Sequence, residues 1–145
     1  MAEAPSQCTF CAIAERILPT SFVYEDAHLV AIMDIHPVNR GHVLVAPRQH
    51  FASLMELPET IGARIFTVAQ RLAAAIRRSG VRCEGITLTL ADGAAAGQDV
   101  MHCHLHVLPR FQGDTYRVST TWSSPPRQEL DAVATLIRSA LIDKD

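Results

Sequence analysis

The sequence lacks the features of membrane-spanning, secreted and nucleic-acid-coating proteins. No apolar run approaches the roughly 20 residues that a transmembrane helix needs. Residues 1–7 contain neither a basic side chain nor an apolar stretch, so they do not have the pattern of a signal peptide. The 13 basic and 15 acidic residues include no basic block, which makes long nucleic acid a poor partner. We therefore expect a cytoplasmic protein, without a membrane partner, whose four cysteines form no disulfides.

Internal repeats, low-complexity segments and a glycine-rich phosphate loop are absent as well. Because no such loop follows the first predicted strand, the dinucleotide-binding and P-loop patterns are excluded. Of the 145 residues, 48% are apolar and 19% are charged, which is typical of one compact domain with a true core.

Local patterns divide the chain into short strands and amphipathic helices. Strands are expected at 22–25, 28–34, 42–46, 86–90 and 98–110. A long helix is expected between Pro58 and Gly80, where one apolar stripe comprises Ile61, Ile65, Val68, Leu72 and Ile76. A short helix is expected after Cys8 and a last one after Pro126. Strands grouped in runs, with helices between the runs, favour an α+β domain with a mainly antiparallel five-stranded sheet and a long covering helix.

Three histidines alternate along the last predicted strand. Side chains two residues apart share one face of a strand, so His102, His104 and His106 should point the same way. Their neighbours should then point into the core: Cys103, Leu105 and Val107. Imidazoles titrate near neutral pH, which suits proton transfer, nucleophilic attack or metal binding. Because a ring flanks it on each side, His104 is our candidate nucleophile toward phosphorus; zinc held by the three rings is the alternative.

A second group of candidate ligands begins at Cys8 and Cys11. Their C-x-x-C spacing is typical of a zinc half-site or of a redox pair, but the βαβ context of a redox pair is missing. A structural zinc would need two more ligands, for which His50 and His102 are the better candidates. Such a site would fix the N-terminal segment to the sheet. The alternative is a pair of small buried thiols.

Two polar side chains stand beside the ends of predicted strands. Asp34, between apolar residues, can accept hydrogen bonds from a ribose diol while its neighbours enclose a base; a turn-capping aspartate is the alternative. His42 follows Gly41, and a glycine there lets a ligand approach closely. The backbone N–H groups from Gly97 to Asp99 can supply further donors to an anion.

Together these residues resemble the histidine triad (HIT) family of nucleotide hydrolases and transferases. The family signature, in which three histidines alternate with apolar residues, stands here at 102–108. The segments 24–26, 34–35, 41–45 and 96–98 are also similar to that family. The resemblance implies a HIT-like fold, a homodimer with a continuous sheet, and a bound purine nucleotide with an AMP moiety.

The resemblance also implies a reaction and the residues that perform it. Hydrolysis at the α-phosphorus of adenosine phosphoramidates or dinucleoside polyphosphates would pass through a nucleotidyl adduct on His104, with no catalytic metal. His42 and His106 would contact the phosphate, and His102 would support the array. The nucleotide-binding residues would be Phe10, Ile32, Asp34, Ile35, Gln98, Asp99 and Val100. A structural zinc would be bound by Cys8, Cys11, His50 and His102. A zinc-dependent hydrolase and a nucleotide-binding module with little turnover are the alternatives.

The resemblance also gives the expected domain limits, and the sequence departs from the family pattern at two positions. We expect a flexible tail over 1–7, a HIT domain over 8–111, and a C-terminal extension over 112–145 whose helix packs on the same domain. Ala91 stands where relatives usually carry Asn or Gln, which removes one polar contact near the phosphate. Arg40 stands where proline is frequent, and its charge can assist an anionic substrate.

Overall fold

A single antiparallel sheet of five strands forms the centre of the structure, a computed structural model that describes residues 5–141. The strands are β1 Phe22–Glu25, β2 Leu29–Met33, β3 Val43–Pro47, β4 Gly85–Thr89 and β5 Leu105–Arg110. Their order across the sheet is β1-β2-β3-β5-β4, and every neighbouring pair is antiparallel. The predicted α+β fold with a five-stranded antiparallel sheet is therefore confirmed.

Three α-helices accompany the sheet: α1 Thr9–Ala14, α2 Glu59–Arg78 and α3 Arg127–Ala140. The predicted apolar stripe of α2 is buried at Ile65, Val68, Leu72 and Ile76 and packs on the sheet face that carries Val43, Val45, Leu105 and Val107. The helix ends just before Gly80, whose φ of +85° is the left-handed conformation that glycine adopts readily after a helix.

The short helix α1 covers part of the opposite sheet face. Its side chains Phe10 and Ile13 are buried against Val30, Ile32 and Ala46. Because side chains alternate along a strand, His106 of β5 points to this second face, where it is paired with Leu44 of β3. The histidines are thus brought to the edge of α1, on the side of the sheet that α2 leaves uncovered.

The histidine strand is shorter than predicted, because β5 begins at Leu105 and residues 98–104 form a loop. β3 pairs with β5 only from Val43 to Val45, although β3 itself continues to Pro47. Instead the N–H of Cys103 donates to the Phe51 carbonyl at 2.7 Å. The predicted inward direction holds even so: Cys103, Leu105 and Val107 are buried in the core under α2.

The described residues include only part of the expected N-terminal tail, and at the C-terminal end α3 is more exposed than expected. Pro5–Gln7 form a 3-10 turn, and residues 1–4 and 142–145 lie outside the described range. All residues of α3 are exposed, including the apolar ones at Leu130, Val133 and Ile137, whereas we expected this helix to pack on the same domain. Within residues 5–141, no helix is both long and apolar enough to cross a bilayer.

Candidate active site

A cavity of about 420 Å³ lies between α1 and the sheet. Its walls are mostly apolar, and three of its polar side chains form one polar end: Asp34 lies close to His106, and His106 lies close to His104. This combination is typical of a pocket for a small organic ligand. The predicted site residues that line it are Phe10, Ile32, Asp34, Ile35, Asp99, Val100, His104 and His106.

The ring of His104 is fixed by the backbone of the same loop. Its Nδ1 lies 2.7 Å from the carbonyl oxygen of His102. A carbonyl oxygen only accepts hydrogen bonds, so Nδ1 carries the proton and Nε2 keeps a free lone pair. His104 is also 94% buried at the cavity wall, where few water molecules compete for that lone pair. This is the tautomer that an imidazole nucleophile needs.

His42 and His106 form a hydrogen-bonded pair beside the nucleophile. The N–H of Val38 donates to His42 Nδ1 at 3.2 Å, so His42 must carry its proton on Nε2. That Nε2 lies 2.9 Å from Nδ1 of His106, which therefore accepts. The remaining proton of a neutral His106 is then on its Nε2. These two hydrogen bonds leave Nε2–H of His106 as a free donor. The centres of the His106 and His104 rings are 5.0 Å apart.

Burial favours the neutral form of both rings of this pair. It lowers the pKa of His42, while the carboxylate of Asp34 opposes the shift. It also lowers the pKa of His106, to which the neighbouring His104 and His42 contribute. The pair is thus uncharged at neutral pH, as the hydrogen-bond directions require.

Asp34 lies at the polar end of the cavity. One carboxylate oxygen accepts from the N–H of His36 at 2.8 Å, and the other lies 3.6 Å from Nε2 of His42. The first contact is the capping role that we considered as the alternative for Asp34. Asp34 also lines the cavity, so the capping and ligand-binding roles are compatible.

Three predicted catalytic or nucleotide-binding residues are not in the wall of this cavity: His42, which lines a smaller cavity, Gln98 and His102. The Gln98 side chain is buried and its amide is used by the backbone: it accepts from Gly93 N–H and donates to the carbonyls of Ala52 and Val100. The Gln98 side chain therefore shapes the loop before the histidines, and its role near the phosphate stays a prediction. The His102 ring also lies outside the cavity and belongs to a separate cluster, described below.

Several wall residues were missed by the sequence interpretation. They include Thr9, Ile13, Leu18, Pro19 and Leu44. The sequence could have indicated two of these wall residues through their spacing from predicted site residues. Ile13 is three residues after Phe10 on a helix, and Leu44 is two residues after His42 at the start of a strand, so each shares a side with a predicted site residue.

A smaller cavity of about 240 Å³ lies on the other side of His106. It is lined by His42, Thr89, Ala91, Gly97, His106 and Tyr116 among others. Because His106 borders both cavities, a phosphorus atom bound near it would have room for one substituent on each side. Ala91, which departs from the family pattern, lies in the wall of this smaller cavity.

The second cluster brings together the four predicted metal ligands. The Sγ atoms of Cys8 and Cys11 and one ring nitrogen of each of His50 and His102 all lie within 4.8 Å of one another. His102 Nε2 donates to the Pro47 carbonyl at 2.8 Å, which leaves Nδ1 free and 3.3 Å from Cys8 Sγ. Two sulfur and two nitrogen donors, with one ring oriented by an outer hydrogen bond, fit tetrahedral zinc.

Burial favours the neutral forms of two of these four side chains, Cys11 and His102. Burial raises the pKa of Cys11 to about 11, and the hydrogen bond with Cys8 adds to the shift. Burial lowers the pKa of His102 to about 4. A metal ion would therefore find a free imidazole but would have to displace thiol protons, so its affinity should rise with pH.

The three histidines of the triplet do not surround one point. In residues 5–141, their ring nitrogens do not form a common group of converging ligand atoms; His102 belongs to the cysteine cluster, and His106 lies with Asp34 and His42. This arrangement weighs against the alternative in which a zinc ion is held by the whole triplet.

Comparison with known proteins places this geometry in a family. A model of the HIT domain matches residues 15–113. An uncharacterized HIT-like protein of Mycobacterium tuberculosis is 36% identical over 138 residues, which cover 95% of each chain. An adenylylsulfatase of Arabidopsis thaliana is 32% identical over 109 residues, which cover 75% of this chain and 55% of that protein.

Solved structures are similar over almost the whole chain. A HIT family protein from Bacillus anthracis superposes with a TM-score of 0.84 at 33% identity, covering 94% of this chain and 98% of that one. A zinc-bound histidine triad family protein from Mycobacterium smegmatis superposes with a TM-score of 0.74 at 38% identity, covering 95% and 100%. With the domain match spanning more than half of the sequence, the chain belongs to the HIT domain family.

Proposed function

We propose that the protein is a nucleotide-binding hydrolase or nucleotidyl transferase that cleaves adenosine nucleotides at the α-phosphorus. The observation that carries the proposal is the fixed tautomer of His104, with its free Nε2 at the wall of an apolar cavity. The Arabidopsis thaliana relative is named an adenylylsulfatase, and a substrate with an adenylyl group supports this class of chemistry.

In the first step, His104 Nε2 attacks the α-phosphorus and the bond from phosphorus to the leaving group breaks. His106 Nε2–H donates a hydrogen bond to the leaving nitrogen or oxygen, and this group takes up a proton from solvent as it departs. The imidazole of His104 becomes a nucleotidyl-histidine. The loop backbone at Asp99 and Val100 borders the same end of the cavity and contributes to binding of the phosphate.

In the second step, water attacks the same phosphorus and the P–N bond to His104 breaks. Water gives up one proton to solvent, and AMP leaves. The sum is the addition of one water to one phosphoramidate or phosphoanhydride bond. The step at phosphorus requires no metal ion, because positioned imidazoles supply the nucleophile and the hydrogen bond to the leaving group.

The remaining cavity residues bind the nucleoside. Phe10, Ile32 and Ile35 enclose the purine base with apolar surface, and Asp34 accepts hydrogen bonds from the ribose hydroxyls. Ile35 is 80% exposed in the free chain, so a bound base would cover apolar surface that now faces water.

We further propose a structural zinc and a homodimer. The cysteine and histidine cluster has the donor set that zinc prefers, and the Mycobacterium smegmatis relative is described as zinc-bound. The dimer is supported by two uncovered surfaces: β4 is an edge strand of the sheet, and the apolar side of α3 is exposed. A second copy that pairs along β4 would extend the sheet and offer a surface to α3.

Intact-mass spectrometry after a brief substrate pulse tests the proposed reaction. The protein is mixed with adenosine 5′-phosphoramidate or with a dinucleoside polyphosphate and quenched without acid, which preserves a P–N bond. We expect a mass increase of one adenylyl group, followed by release of AMP. The two substrates in parallel show which leaving group the smaller cavity prefers.

Chelation separates the alternatives. If a metal acts at phosphorus, thorough chelation should stop the chemical step while the fold survives. If the protein only binds nucleotide, no adduct forms and AMP does not accumulate. Our proposal predicts that chelation lowers the thermal stability before it affects the rate of a protein that is still folded.

A further inference from the structure

The segment that carries the two cysteines also forms a wall of the proposed nucleotide cavity. Cys8 and Cys11 provide the sulfur donors of the metal cluster, while Thr9, Phe10 and Ile13 line the cavity. We call Cys8–Ile13 the N-terminal clamp. Metal ligands and cavity wall therefore alternate within six consecutive residues, and neither can move far without the other.

Phe10 is the point at which the two sites meet. Its ring stacks on His104 with a centroid distance of 4.8 Å and an interplanar angle of 27°. The same ring lies 5.3 Å from the ring of the ligand residue His102. Phe10 thus separates the metal cluster from the proposed nucleophile and contacts both.

The two ends of α1 are held differently. At its C-terminal end, the guanidinium of Arg48 donates to the Ala14 carbonyl at 3.0 Å and to the Asp26 carbonyl at 2.6 Å. At its N-terminal end, thiol contacts to imidazole of 3.3 Å at Cys8 and 3.5 Å at Cys11 link the clamp to the other ligands. Thiols are weak hydrogen-bond partners, so a metal ion would replace weak links by strong ones at the end that includes Phe10.

We propose that metal binding at the cysteine cluster and nucleotide binding in the cavity are positively coupled through the N-terminal clamp. Zinc fixes the clamp in the position that completes the cavity wall, and a bound base packs on that same wall. Each ligand then binds more tightly to the arrangement that the other stabilises, and linkage requires both affinities to rise by the same factor. The inference rests on the proposed nucleotide site.

Calorimetry and zinc competition measure the two halves of this coupling without an activity assay. AMP binding is titrated with zinc-loaded and zinc-stripped protein, and zinc affinity is measured against a chromogenic chelator with and without saturating AMP. We expect each affinity to change by the same factor, within roughly 5- to 150-fold. Equal AMP affinity in the loaded and stripped proteins would overturn the inference.

The AMP and zinc affinities of three variants test which residues carry the coupling between the two sites. His50→Ala weakens zinc binding without altering the cavity wall, so its AMP affinity should fall toward that of the stripped protein. Cys83→Ser changes a cysteine outside the cluster, whose thiol bonds to the Gly85 carbonyl, and should leave both affinities unchanged. Phe10→Ala should bind zinc normally but show the same zinc affinity with and without AMP.

If the zinc-stripped protein unfolds, the Phe10→Ala variant still distinguishes coupling through the N-terminal clamp from coupling through global unfolding. Coupling through global unfolding would still make AMP tighten zinc binding in Phe10→Ala, and that result would refute the local route. A failure of the proposed function gives a different result from a failure of the coupling. If zinc-loaded wild type does not bind AMP at all, the nucleotide site is wrong; if it binds AMP equally well without zinc, only the coupling is wrong.

Discussion

The Nδ1 atom of His104 lies 2.7 Å from the carbonyl oxygen of His102. The residue that holds the proposed nucleophile is therefore a candidate metal ligand, whose own ring is turned away toward the cysteines and bonded to the Pro47 carbonyl. His102 therefore has a role at both sites. The His102 ring stabilises the loop, and the His102 backbone sets the tautomer of the reacting ring.

Replacing His104 should remove the chemistry and spare binding. We expect His104→Asn to form no adenylyl adduct and to lose turnover by roughly a thousandfold or more, since a nucleophile has no substitute among its neighbours. AMP should still bind, because the base and ribose contacts remain. His36→Asn, at an exposed loop histidine, is the matched control and should react normally. An adduct of unchanged mass and yield in His104→Asn would show that another group attacks.

Sequence periodicity predicted the sheet, the long helix and the inward direction of Cys103, because each depends on local alternation and burial. It could not predict where β5 begins, since the Cys103 N–H just before the strand bonds the Phe51 carbonyl instead of β3. It also missed that the Gln98 amide is consumed by three backbone groups. One of these contacts, to Ala52, joins segments that are distant in sequence, and strand or helix periodicity predicts none of the three.

Removing the charge of Asp34 should weaken recognition of the ribose. In Asp34→Asn, one oxygen can still accept from the His36 N–H, so the turn should persist. The hydrogen bonds to the ribose lose a charged acceptor, which is worth roughly 1.5–3 kcal/mol. We expect the preference for AMP over 2′,3′-dideoxy-AMP, measured by calorimetry, to shrink by roughly tenfold or more. A preference equal to that of wild type would place the ribose elsewhere.

Gly41 should tolerate no side chain. Its φ of +94° is unfavourable for other residues, and a Cβ would lie 2.8 Å from Cγ1 of Val81 and 3.2 Å from Cγ of Pro109. We expect Gly41→Ala to lower the free energy of unfolding by roughly 1–3 kcal/mol. It should also reduce turnover, since Gly41 precedes His42. Gly85→Ala is the control: nothing lies within 4 Å of its added Cβ, and its unfolding in urea should match wild type closely.

Acid should destabilise the fold through His42 and His106. Burial lowers both pKa values below the ordinary 6.5, so below about pH 6.5 the unfolded chain binds protons that the folded chain resists. Unfolding free energy therefore falls as pH decreases from 6.5 toward the folded pKa values, by at most about 1.4 kcal/mol per pH unit for each group.

The double variant His42→Gln, His106→Gln isolates this contribution. Urea unfolding of zinc-loaded protein between pH 7 and pH 5 should give a shallower dependence on pH than wild type, whatever the variant's stability at pH 7. The metal ligands are the same in both proteins, so their own protonation cancels in the comparison. Identical slopes would mean that these two rings are protonated as easily in the folded chain as in the unfolded one.

The exposed apolar side of α3 should be needed for dimerisation. Leu130 and Ile137 lie two turns apart on one side of the helix and are 42% and 64% exposed in the single chain, whereas Ser139 lies on the opposite side. A charge at both apolar positions would have to be buried in a dimer contact, at high cost. We expect Leu130→Glu with Ile137→Glu to convert the dimer to a monomer in light scattering, and Ser139→Glu to remain dimeric. A monomeric wild type, or a doubly charged variant that still dimerises, would show that α3 serves another purpose.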